Sequence, residues 1–82
     1  MLKAQALAIE KIYVPAKRRQ TLDPKKIEAL AESILAKGQE VPILVREDGQ
    51  RFVLVEGLHR LEACRALGEI TVSAYLVQAR QH

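Results

Sequence analysis

The chain has 82 residues, 49% of them apolar and 28% charged, with three Pro and four Gly; this excludes a disordered or collagen-like polymer and suits one small domain over residues 1–82 rather than two. A net charge of +3 is too small to hold nucleic acid by bulk attraction, so only a local concentration of cations would do so. The single cysteine, Cys64, cannot close an internal disulfide, and the longest apolar runs fall far short of a membrane span, so the chain reads as a protein of the reducing cytoplasm with no signal peptide or membrane anchor.

The stretch LAIEKIYVP places Leu7, Ile9, Ile12 and Val14 around a short charged interruption and predicts one strand, bulged in the middle and ended by Pro15. A basic run follows, in which Lys17, Arg18, Arg19, Lys25 and Lys26 are offset only by Asp23. Taken alone, such a run is a solvated loop and first helical turn.

Asp23 as N-cap, Pro24 at the first helical position and Gly38 as terminator bracket a helix. Its Ile27, Leu30, Ala31, Ile34 and Leu35 follow the i, i+3, i+4, i+7, i+8 spacing of one apolar stripe. The runs VPILVRE and QRFVLVE then predict two strands joined by a tight turn at Asp48-Gly49, with Pro42 at a strand end or edge. LHRLEACRAL predicts a second main helix closed by Gly68. EITVSAYLV predicts a last strand, with Val72, Ala74 and Leu76 facing away from Thr71, Ser73 and Tyr75. Residues 78–82 read as a frayed end. The order is β-α-β-β-α-β, an α+β arrangement.

The passage from strand to helix at Glu56-Gly57-Leu58-His59-Arg60 is where chemistry concentrates. A helix start leaves amide N–H groups unpaired at the positive end of the helix dipole, a ready anion site, and a glycine there lets a ligand approach the backbone. Arg60 adds a planar donor fork suited to phosphate, and His59 adds a group that exchanges protons near neutral pH. On a helical wheel Arg60 shares the buried arc with Cys64 and Leu67. Its guanidinium then has three outlets: to snorkel into solvent, to pair with an acid such as Glu56, or to face a cleft and wait for an anion. Cys64, mid-helix on the apolar side, reads as a small core residue and not a nucleophile. No paired metal-ligand histidines, Ser-His-Asp set or P-loop is present in the sequence.

The segments IYVPAKRRQTLDPKKIEALAESILAKGQEVPILV and VLVEGLHRLEACRALG together resemble the ParB N-terminal, or ParB/sulfiredoxin, superfamily over nearly the whole chain, and most of all its stand-alone ParB-like nuclease-type members. The resemblance implies a small α+β domain with a mixed sheet and two main helices, whose pocket binds nucleotide phosphates at the N-terminus of the second. It gathers Arg18, Arg19, Gly38, Gln39, Pro42, Glu56, Gly57, Leu58, His59 and Arg60 around that pocket, with His59 as the candidate catalytic group. ATP or CTP with magnesium is the implied cofactor, and a nucleotide or DNA the implied partner. The implied activities run from triphosphate hydrolysis to DNA cleavage, beside a purely binding role.

Two departures matter. Leu58 stands where sulfiredoxins carry their catalytic cysteine, so that reductase chemistry has no nucleophile here. Partition proteins read Gly-Glu-Arg-Arg-x-Arg where this chain has Gly57, Leu58, His59, Arg60, Leu61 and Glu62, which weakens the implication of CTP specificity and turnover more than that of phosphate binding.

Overall fold

The computed structural model describes residues 3–39 and 41–78. Its elements are β1 (Gln5–Ala8), a 3₁₀ turn (Ile9–Lys11), β2 (Ile12–Tyr13), α1 (Ala16–Arg19), α2 (Pro24–Lys37), β3 (Ile43–Asp48), β4 (Arg51–Glu56), α3 (Leu58–Ala66) and β5 (Thr71–Val77). The five strands form one mixed sheet in the order β1-β5-β3-β4-β2. The predicted α+β class and both main helices are present. Apart from Gln78, the C-terminal end read as frayed lies outside the described residues.

The first predicted strand is a correction. The chain does not bulge at Ile9–Lys11 but breaks, so that β1 pairs antiparallel with β5 and β2 pairs parallel with β4 at the opposite edge. Four sheet spacings put the edges of a flat sheet about 19 Å apart. Four residue steps from Ala8 to Ile12 reach at most about 15 Å, so the sheet must curl to let one short turn join both edges. Buried Ile9 fixes the turn, its amide donating to the Ile70 carbonyl at 2.9 Å.

The core lies between the sheet and the helices. Ile43, Val45, Leu54, Val72 and Ala74 from the strands meet Leu58, Leu61 and Cys64 from α3, with Ile9, Ile12 and Val14 closing one side. Strand β3 sits in the sheet centre between β5 and β4. Pro42, immediately before it, costs no ladder bond there, as its strand-end placement requires. Two residues, Gly49 and Gln50, join β3 to β4, and φ +63° at Gly49 gives the hairpin the positive first angle of a II′-like turn.

Helix α2 has no fully buried residue, and Leu35, assigned to its apolar stripe from the sequence, is 77% exposed. The reason is angle. Ile27, Leu30, Ala31 and Ile34 are half-buried on one stripe, and Ile34 packs against the core. Leu35 stands about 100° round the helix from Ile34, at the margin of that stripe, and faces solvent.

Candidate functional site

Between the last residue of β4, Glu56, and the first of α3, Leu58, only Gly57 is left to turn an extended chain into a helix. It does so at φ +108°, ψ +31°, where a side chain would be strained. A Cβ on Gly57 would fall 2.7 Å from Ile43 Cγ2 and 2.9 Å from Ile43 Cβ, and Ile43, 1% exposed, has no room to yield. The glycine was expected to make room for a ligand; the space beside it is filled by the protein's own core.

No side chain caps α3, and the first amide along it to reach a carbonyl is that of Leu61, on Gly57 at 2.9 Å. Among the described residues the N–H groups of Leu58, His59 and Arg60 meet no acceptor, at the positive end of the helix. α2 differs, because its Asp23 carboxylate accepts the Lys25 amide at 3.0 Å. The Leu58 side chain, 6% exposed, belongs to the core, so only its backbone can serve a ligand.

His59 Nε2 accepts the Asp23 backbone N–H at 3.0 Å, across 36 positions of sequence. This bond sets the N-termini of α2 and α3 side by side. With Nε2 used as an acceptor, the hydrogen bond assigns the ring proton to Nδ1. Arg60 is half-buried. Among the described residues the ion pairs are Asp48–Arg51 at 3.1 Å and Glu62–Arg65 at 3.4 Å. Arg60 takes part in neither and makes no side-chain hydrogen bond there. Of its three outlets, the pair with exposed Glu56 is therefore not formed.

The charge of Arg60 reaches Cys64 one turn on. Burial pushes the Cys64 thiol up from its ordinary value of 9.0 and the Glu69 carboxylate adds to this, while Arg60 opposes both. The folded state thus favours the protonated thiol. Its contribution is complete below the unfolded value and is lost as pH rises through the folded one. Native protein should accordingly leave Cys64 untouched by Ellman's reagent at pH 8, and stability should decline above about pH 9, a decline that Cys64→Ala reduces.

The remaining predicted site residues divide. Gly38 ends α2 at φ +79°, its amide on the Ile34 carbonyl at 2.7 Å. The Gln39 side chain is committed to backbone: Oε1 accepts the Ser73 amide at 2.8 Å, and Nε2 donates to the carbonyls of Ser73 and Val41, each at 3.0 Å. The β3–β5 ladder begins with Ile43 opposite Ala74, so Ser73 lies just before it. Gln39 supplies partners for the Ser73 amide and carbonyl there.

Arg18 and Arg19, read as loop residues, form the exposed one-turn helix α1. The Arg18 carbonyl accepts the Thr21 amide at 3.0 Å and hydroxyl at 2.7 Å. Arg19 shares a cavity of about 270 Å³ with Leu22, Glu62 and Arg65, which puts it along the flank of α3. Asp23, read as a helix cap only, proves to be the tie to His59, and nothing local in the sequence signals that role. Among the described residues no three His, Cys, Asp or Glu side chains converge as a metal site.

The profile of the ParB N-terminal domain matches residues 2–82. The chain belongs to the ParB N-terminal domain family. Within it, the chromosome-partitioning protein ParB of Myxococcus xanthus is 40% identical over 63 residues, which are 76% of this chain and 21% of that protein. The crystal structure of sulfiredoxin from Arabidopsis thaliana matches with TM-score 0.84 and 32% identity, over 94% of this chain and 86% of that one. The C-terminally truncated partition protein ParB from Caulobacter crescentus, complexed with CTP-gamma-S, matches with TM-score 0.82 and 28% identity, over 96% of this chain and 46% of that one. The chain spans about a fifth of the length of the partition proteins it matches. In this ParB-family domain the residue after the junction glycine is a core leucine, and the junction offers amides and one arginine. No helix among the described residues is long and apolar enough to cross a membrane.

Proposed function

We propose that the domain binds the phosphates of a nucleoside triphosphate at the first turn of α3. One observation carries the reading: the uncapped amides of Leu58, His59 and Arg60 open beside an arginine that pairs with no described residue. The triphosphate complex of the Caulobacter relative supports the same ligand class. Arg60 clamps the phosphates with charge-assisted hydrogen bonds. His59 is a positioning residue: its Nε2 holds the two helix starts together, and its Nδ1–H is a donor. Pro42 directly precedes Ile43, the residue that packs on Gly57, and Gln39 is anchored to Ser73; both are assigned to the β3 side of the site. Arg18 and Arg19 lie on α1, from which their side chains approach a bound polyanion. Magnesium would arrive with the triphosphate, with Glu56 the exposed carboxylate nearest the junction in sequence. The reading ends at binding in the cytoplasm; neither hydrolysis nor DNA cleavage is assigned a residue.

Calorimetric titration with CTP and with ATP, each with and without magnesium, tests it. Saturable binding of at least one nucleotide is expected, weakened about 10- to 100-fold by Arg60→Ala, as for loss of a charged hydrogen-bond partner. No binding of either nucleotide, or equal affinity in the variant, overturns it.

A further inference from the structure

The segment that carries α1 and α2 is held lightly to the rest of the domain. None of residues 15–39 is fully buried, and α2 rests on α3 through its half-buried stripe. Among the described residues two hydrogen-bonded ties join the segment to α3 and the sheet. At the front of α2, His59 Nε2 accepts the Asp23 amide at 3.0 Å. At the far end the Gln39 side chain exchanges hydrogen bonds of 2.8 and 3.0 Å with the Ser73 backbone. A segment with so little buried surface opens locally before the core does.

The two ties respond differently to acid. A glutamine amide does not titrate. An imidazole accepts at Nε2 only while that nitrogen lacks a proton; the protonated ring has an N–H on both nitrogens and no acceptor, so it would meet the Asp23 N–H donor to donor. Histidine is the side-chain type whose charge ordinarily changes between pH 5 and 8, and the half-buried His59 ring is within reach of solvent. The charged groups on the elements around it are Asp23, Lys25 and Lys26 at the start of α2, Arg18 and Arg19 on α1, Arg60 and Glu62 on α3, and Glu56 at the end of β4. The Asp23 carboxylate is engaged with the Lys25 amide. These charges tune the pH at which the ring takes its second proton; none of them restores a lone pair to Nε2.

We propose that His59 is a proton-operated latch. With a neutral ring it holds the start of α2 against the start of α3; on protonation it releases Asp23 and leaves the segment tied at its Gln39 end. Acid thereby loosens the part of the domain that bears Arg18 and Arg19 while the sheet and α3 stay folded. The device needs only the hydrogen bond, and it does not rest on the phosphate reading.

Nuclear magnetic resonance of the domain without nucleotide, from pH 8 to pH 5, is the test. The His59 ring nitrogens should pass from one bound proton to two, and the Asp23 amide signal should follow the same curve. Protection of the Asp23 amide from hydrogen exchange, taken relative to the free-chain rate at each pH, should fall about five- to tenfold, as for loss of one hydrogen bond. The Ser73 amide should keep its protection at pH 5, which separates release of the latch from unfolding. In His59→Gln a side-chain oxygen that does not titrate replaces Nε2, so the acid-induced change at Asp23 should vanish. His59→Ala should leave Asp23 unprotected at both pH values. Equal protection of Asp23 at pH 8 and pH 5 in the parent, or loss of Asp23 and Ser73 protection together, overturns the proposal.

Discussion

Gly57→Ala should cost the domain about 2–5 kcal/mol. Two penalties combine: a side chain at φ +108° is strained by roughly 1–3 kcal/mol, and a methyl driven into Ile43 adds roughly 1–3 kcal/mol of overpacking. Relief by moving Ile43 is closed off, because that residue is among the largest fully buried side chains and lies in the central strand. For a domain of this size the midpoint of thermal unfolding should drop by about 10 °C or more. Ile43→Val should not rescue Gly57→Ala, because valine keeps the Cβ and Cγ2 atoms that the new methyl meets. A midpoint within about 2 °C of the parent for Gly57→Ala alone would mean that the junction is not held as described.

Gln39→Ala should cost about 2–3 kcal/mol, the second-largest loss. It removes three hydrogen bonds of 2.8, 3.0 and 3.0 Å, each contributing about 1 kcal/mol, and strands the amide and carbonyl of half-buried Ser73. Gln39→Glu separates the two halves of the clamp, since a carboxylate still accepts the Ser73 amide but donates to neither carbonyl. It should fall between the parent and Gln39→Ala in urea unfolding. Hydrogen exchange gives the local readout: the Ser73 amide should lose protection in Gln39→Ala and keep most of it in Gln39→Glu. An unchanged urea midpoint in Gln39→Ala would remove Gln39 from its place in the sheet.

Features set by neighbours in sequence were legible before the fold. Asp23 as cap, Pro24 as first residue and Gly38 as terminator bound α2 correctly, because capping chemistry is settled within one turn. The alternation of Val72, Ala74 and Leu76 located the inner face of β5 for the same reason. What failed depends on distance. Whether Ile9–Lys11 is a bulge or a break is decided by which strands flank β1 and β2, and those lie more than 35 residues on. The fate of Leu35 depends on how wide a stripe of α2 the rest of the domain covers.

The candidate site divides along the same line. The open helix start and its arginine followed from the junction sequence. The purpose of Gly57 did not, since the atom that requires it belongs to Ile43. Gln39 and His59 were both read as ligand groups. Each makes its principal hydrogen bond to backbone more than 30 residues away in sequence, and no local pattern encodes such a bond.

The most direct test is nuclear magnetic resonance of the backbone amides during titration with CTP, ATP and inorganic tripolyphosphate. The Leu58, His59 and Arg60 amide signals should move most, in saturable fashion, and tripolyphosphate alone should reproduce the shifts because the site reads phosphate oxygens. Signals that stay fixed at these three positions, while other amides move or none do, would contradict the assignment of this helix start as an anion site.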